Sequence, residues 1–291
     1  MSVALGLVGF GEAGRAIAAG LREEGVSVSV YDVRHEVPEL RAAAEGLGVH
    51  WVASPAELAG RCAAIVALTS AKVAVLGARE MAPHLSSSHV YADWNSASPA
   101  LMSETAEVIT ATGARFADGA VMAVVPPHRH KVPVLLSGDG AEAFAAVAAK
   151  AGMVVEVLGD VPGQASAVKM FRSVLVKGLE ALVLECVMGA EAYGASDRVL
   201  ASMAGSLPFD DWQALASYLM TRTALHGDRR AEELRQATTT LEAVGVPPLL
   251  SPAAAQRLQE FADLKLGPRL GEPPYTYTQI MQAMRLGESD R

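Results

Sequence analysis

The sequence predicts an α/β protein in which an N-terminal, doubly wound sheet is followed by an all-helical C-terminal domain. Three observations predict it. Short β-rich segments alternate with helix-patterned ones through the first 160 residues, and no convincing strand follows residues 159–163. The chain is 51% hydrophobic but only 5% aromatic, so Ala, Val and Leu carry the core, a composition suited to helices packed on a parallel sheet. At roughly 150 residues per domain, the 291 residues divide into two domains, expected at 1–161 and 162–291.

The elements follow in order. Residues 3–9 (VALGLVG) form an apolar strand, 12–25 (EAGRAIAAGLREEG) a helix closed by Gly25, and 26–32 (VSVSVYD) a second strand. Further strands fall at 63–69, 89–94, 114–121, 132–138 and 153–159, with helices between several of them. In the segment 98–113, Ser98 can cap the helix and Pro99 can occupy its first turn. Repeated βα alternation implies a mostly parallel sheet covered on both faces. After residue 163 come a long helix at 164–194 and further helices at 210–225, 228–245 and 251–267. In the tail, order is expected up to 278–285.

A net charge of −8 argues against nucleic acid as a partner. Cys62 and Cys186 lie in apolar runs and read as buried, reduced thiols. The N-terminus lacks the basic region of a signal peptide, and no apolar run has membrane length, so the expected location is the cytoplasm with no membrane partner.

The stretch Gly9-Phe10-Gly11-Glu12-Ala13-Gly14 reads G-x-G-x-x-G. An apolar strand precedes it, a helix follows, and Asp32 ends the next strand 23 residues after Gly9. That is the context of a dinucleotide grip in a Rossmann domain. Gly9 permits the turn, Gly11 lets the backbone approach a pyrophosphate, Gly14 lets helix pack on strand, and the helix N-terminus offers N–H groups. Asp32 would accept ribose hydroxyls and favours NAD, because a carboxylate repels a 2′-phosphate. Arg34 could instead hold that phosphate, so NADP stays open. Thr69 and Ser70, at the end of the strand 63–69, join the candidate cofactor residues.

The helix from Gln164 is apolar on nearly every side, as buried helices are. Lys169, Ser173 and Lys177 nevertheless recur at i, i+4 and i+8, with Arg172 and Glu180 beside them. Lys177 reads either as functional or as a solvent-facing residue paired with Glu180. A lysine at the position of Lys169, if desolvated, would trade a proton near neutral pH.

These segments together resemble the β-hydroxyacid dehydrogenases, which include 6-phosphogluconate and 3-hydroxyisobutyrate dehydrogenases, and among them a branch whose C-terminal domain is of unknown function. "GLVGFGEAG" is similar to the cofactor motif, "ADWNSASP" (92–99) to the segment near nicotinamide and substrate, and "GQASAVKMFRS" (163–173) to the catalytic helix. The resemblance implies that Lys169 is the catalytic lysine, that Asn95 and Ser96 lie near the nicotinamide, and that the chain forms a homodimer through its helical domain. Two departures concern the substrate. Met122-Ala123-Val124 replaces the usual Ser-Gly-Gly, and Ser173 replaces an asparagine.

His226, Arg229 and Arg230 gather at an expected helix start. They read as a solvated helix with pairs to Glu232 and Glu233, and alternatively as a substrate-anion site. His128 and His130 read as part of a surface loop without a metal. The expectation is an NAD(P)-dependent oxidoreductase that moves a hydride to or from a small acidic hydroxy compound, with Lys169 as acid/base and Asn95, Ser96 and Ser173 orienting substrate. An imine reductase and a non-catalytic NAD(P)-binding protein are the alternatives.

Overall fold

The computed structural model describes residues 4–192, 194–203, 211–243 and 247–288. The chain divides into two compact units, Met1–Lys169 and Met170–Arg291. The first contains β1 (Ala4–Val8), α1 (Glu12–Glu23), β2 (Ser27–Tyr31), α2 (Pro38–Gly46), β3 (His50–Trp51), α3 (Pro55–Arg61), β4 (Ala64–Ala67) and α4 (Ala74–Met81). It continues with β5 (Val90–Asp93), α5 (Pro99–Thr110), β6 (Arg115–Val121), α6 (Val125–His128), β7 (Val134–Ser137), α7 (Ala141–Lys150) and β8 (Val155–Gly159). The eight strands form one sheet in the order β3-β2-β1-β4-β5-β6-β7-β8, parallel except where β6 meets β7.

Both faces of this sheet are buried, and the period of two decides which residue faces which layer. Leu5, Leu7, Val28, Val30, Ala64 and Val66 pack with Ile17, Leu21 and Phe144 under α1 and α7. Val8, Tyr31, Ile65 and Tyr91 pack with Leu58, Met81 and Ile109 under α3, α4 and α5. Strand β3, only two residues long, is absent from the sequence expectation because so short a segment shows no period. Cys62 is a buried free thiol, and burial pushes its pKa up. The side chain of Cys186 lies outside the described residues.

The expected surface loop around His130 is corrected. The His130 ring is buried against α1, where a Cβ at Gly20 would collide with it. The bulk of an imidazole under a helix glycine fills the layer as an apolar ring would.

The long helix α8 (Gln164–Ala192) begins in the first unit and continues into the second. The remaining helices are α9 (Ser196–Met203), α10 (Trp212–Ala243), α11 (Leu250–Asp263), α12 (Gly267–Leu270) and α13 (Tyr277–Glu288). The expected helices at 210–225 and 228–245 are both present within the span α10, on either side of a kink at His226, whose backbone (φ −137°, ψ 22°) is not helical. His226 therefore stands where the second of these helices begins, as expected. Beside the bend, Gly227 lets α10 approach α11, because a Cβ there would lie 2.8 Å from that of Ala262. Leu184, Leu219, Phe261, Tyr275 and Ile280 form the main core of this unit.

Helix α8 reverses the burial its sequence suggests. Val168, Phe171, Leu175 (73% exposed) and Leu182 are exposed, at spacings of three, four and seven. Ser173, Lys177 and Glu180 are buried. Lys177 is thus not at a solvent-facing edge, nor does it pair with Glu180. Its ammonium lies 2.6 Å from Glu233 and donates to Ser173 Oγ at 3.2 Å. Burial lowers the Lys177 pKa, with Glu233 opposing. Glu180 instead receives the fully buried Arg230 through two guanidinium nitrogens. The expectation of a solvated Arg230 is corrected with it. Arg229 is exposed, 3.7 Å from Glu233. A helix that is apolar all round gives hydropathy no inward face to choose, so the paired charges choose it.

Candidate functional site

Strands β1, β2, β4, β5 and β6 run parallel, so their C-terminal ends share one edge of the sheet. In open α/β sheets ligands bind at that edge. Gly9 follows β1 with φ +101°, and a Cβ there would lie 2.6 Å from Leu68 O. Gly11 caps α1 without any side-chain hydrogen bond, and nothing lies within 4 Å of where its Cβ would be. A Cβ at Gly14 would run into Gly9 O. The three glycines therefore meet the three requirements of close turn, open approach and tight helix packing. Glu12 and Ala13 form the first turn of α1. Phe10 is buried edge-to-face against Trp51 at 5.9 Å.

Asp32 lies just past β2. Its Oδ2 accepts the Phe10 N–H at 2.8 Å, and Arg34 supplies its N–H, Nε and a terminal nitrogen at 2.9–3.0 Å. Burial pushes Asp32 up, but the Arg34 guanidinium and the two N–H groups outweigh it and hold the carboxyl below its usual range. The glycine loop and the acid are thus tied together directly.

At the next strand ends, Thr69 Oγ1 donates to Asn95 Oδ1 at 3.3 Å. Ser70 is exposed beside it. Asn95 Nδ2 and Ser96 Oγ are buried and have no hydrogen-bond partner among the described residues. Buried polar groups are normally satisfied, so these orphans point to a ligand. An uncapped helix N-terminus and buried amide and hydroxyl groups on one sheet edge fit a dinucleotide, with phosphates at α1 and a polar ring at Asn95 and Ser96. Met122, Ala123 and Val124 leave the end of β6, with Met122 N–H bonded to Pro133 O at 2.8 Å and Ala123 and Val124 exposed.

Two residues at this edge lie outside the sequence expectation. Asp118, fully buried on β6, accepts Ser166 Oγ (2.7 Å), Ser166 N–H (3.0 Å), Gly163 N–H (3.1 Å) and Ser137 Oγ (3.2 Å). Ser137 Oγ in turn accepts the Ala165 N–H. This network fastens the start of α8 to the sheet and fixes the turn that carries the half-buried Lys169. Asp93, fully buried at the end of β5, accepts the Asn95 N–H at 2.8 Å. An acid inside an apolar strand, as in "VYAD" and "FADGAV", was the available signal. Its partners, at 163 and 166, are too distant in sequence to read.

Arg172 (exposed), Ser173 (buried), His226 and Arg229 belong to the second unit. Among the described residues no group of His, Cys, Asp and Glu could hold a metal ion, and no helix is long and apolar enough to cross a membrane.

Residues 4–160 match the family described as the NAD binding domain of 6-phosphogluconate dehydrogenase. The chain belongs to this family. Residues 190–261 match a domain of unknown function (DUF1932). A conserved hypothetical protein of Sinorhizobium meliloti 1021 is 34% identical, with a TM-score of 0.82 over 99% of this chain and 97% of that one. The conserved protein MTH1747, described as structurally similar to 3-hydroxyacid dehydrogenases, is 27% identical, with a TM-score of 0.76 over 90% of this chain and 97% of its own. The Mycobacterium tuberculosis 3-hydroxyisobutyrate dehydrogenase shares the fold at 16% identity, with a TM-score of 0.78 over 98% and 100% of the two chains. Imine reductases share the fold as well.

Proposed function

We propose that this protein is a nicotinamide-dependent oxidoreductase acting on a small, acidic hydroxy compound. The observation that carries the reading is the sheet edge where the glycine loop, Asp32 and the unsatisfied Asn95 and Ser96 side chains converge. Gly9 to Gly14, Asp32, Thr69 and Ser70 would hold the dinucleotide. When bound, its nicotinamide supplies the hydride chemistry. Lys169 takes the substrate hydroxyl proton in oxidation and returns it in reduction. Asn95 and Ser96 orient the substrate, and Met122, Ala123 and Val124 are the candidates for recognising its acidic group. The exposed stripe Val168, Phe171, Leu175 and Leu182 supports a homodimer.

Asp32 remains charged and favours NAD over NADP, since Arg34 is engaged with that carboxylate. Fluorescence titration with NADH and NADPH tests this, and tighter NADPH binding would mean that Arg34 leaves Asp32 for the phosphate. Turnover is tested on a panel of hydroxy acids and imines. Lys169→Ala should lower turnover by about 10²–10⁴-fold with cofactor affinity unchanged. Undiminished kcat in that variant would remove the lysine from the mechanism.

A further inference from the structure

Two carboxyls that this chemistry does not use lie side by side in the sheet. Asp93 on β5 and Asp118 on β6 are register partners, so their side chains leave the same face one strand spacing apart, about 4.8 Å. Both are fully buried, but they are supported unequally. Asp118 accepts the four hydrogen bonds described above, three of them from the start of α8, where the helix dipole favours a negative charge. Asp93 accepts one, from Asn95 N–H, and its Oδ2 has no partner among the described residues.

Two adjacent buried carboxylates cannot both stay ionised without cost, and such pairs retain a proton. The less supported member takes it. Burial pushes Asp93 up to about 7 and Asp118 adds to the push, while the Asn95 N–H and, least of these, the Asn95 side chain resist. Burial raises Asp118 as well, against its serine and main-chain donors. Glu80 is a further carboxylate in this region, bonded to the Tyr31 hydroxyl and, like Asp93, acting on Tyr91. Tyr91, two residues back, is a buried phenol raised well above its ordinary value, and the register neighbour on β4 is Ala67.

We propose that the pair carries one shared proton, resident on Asp93, and that protonated Asp93 is the positioning residue that holds the Asn95–Ser96 turn ready for the nicotinamide end of the cofactor. The proposal rests on the assignment of Asn95 and Ser96 above. Asp93 acts through the Asn95 main chain. Ionisation places a second charge beside Asp118 and drives the Asp93 carboxylate toward water, and the hydrogen bond at 2.8 Å pulls the turn along.

The test is NADH affinity from about pH 6 to about pH 8.5, for the wild type and Asp93→Asn; NADH avoids the titrating 2′-phosphate of NADPH. The wild type should weaken about tenfold or more across that range, as linkage to one proton requires. Asp93→Asn, which keeps the acceptor for Asn95 and stays neutral, should bind with the affinity of the acidic wild type at every pH. An infrared carboxylic-acid band near the acid end should vanish in Asp93→Asn. Should that variant fail to fold, the wild-type band still decides, because its loss with rising pH must track the loss of affinity. NADH binding that ignores pH, with no such band, overturns the proposal and leaves the cofactor assignment standing. Failure of both NADH and NADPH to bind overturns that assignment and the proposal together.

Discussion

Asp118 in the first unit and Glu180 in the second are both carboxylates shut away from water, and they are satisfied by different means. Asp118 collects two main-chain N–H groups and two serine hydroxyls, and it joins a helix start to a strand. Glu180 meets a guanidinium across two helices. The difference follows from secondary structure. A sheet satisfies its backbone strand to strand, so its buried acids are left to organise strand and helix ends. Helices satisfy their backbone internally, so a polar residue on an inward face needs a side-chain partner. In α8 those pairs turn Lys177 and Glu180 inward and leave Phe171 and Leu175 outside.

The largest test of this contrast is Glu180→Leu. It strands Arg230 without a counter-charge and should cost about 3–5 kcal/mol in urea unfolding, whereas Glu180→Leu with Arg230→Met should recover most of the loss. A single variant of near wild-type stability would show that the helical unit does not depend on its paired charges.

A smaller effect is expected on the exposed face of α8. Leu175→Asp should weaken the proposed homodimer at least about tenfold, with the fold retained. Light scattering against concentration reads this directly, and a monomeric wild type at micromolar concentration would leave the exposed stripe without its proposed partner.

The smallest concerns the sheet unit and pH. Burial lowers the His130 pKa from 6.5, with Glu24 and Glu23 opposing and Lys131 reinforcing. A depressed pKa means the unfolded chain binds the proton more readily. Stability is therefore full above pH 6.5 and falls as pH drops through the folded value. The slope should be at most about 1.4 kcal/mol per pH unit. His130→Phe should flatten it, and an equally steep acid slope in that variant would assign the effect to other groups.

Legibility in the sequence divides along the same line. The placement of Gly9, Gly11, Gly14 and Asp32 was readable because it depends on near neighbours and on the alternation of strand and helix. The strand ends that carry Thr69 and Asn95 were readable for the same reason. Asp93 and Asp118 were not, because what they do depends on residues brought in from other strands and from α8. Lys177 and Glu180, three apart, suggested one another, yet their partners Glu233 and Arg230 lie more than fifty positions away or just at that distance. His130 was misread for want of any local sign that Gly20 leaves room for its ring.

The Asp118 network also determines where the polypeptide can be cut. A fragment ended at Val161 would keep every strand of the sheet and lose Gly163, Ala165 and Ser166. Those residues give three of the four hydrogen bonds to Asp118 and the N–H that Ser137 accepts. What remains is a carboxylate sealed in the sheet with one hydroxyl to support it. The smallest self-sufficient nucleotide-binding fragment must therefore carry the first turns of α8, to about Lys169, and any excision or domain graft that follows the strands alone would separate the sheet from part of its own interior.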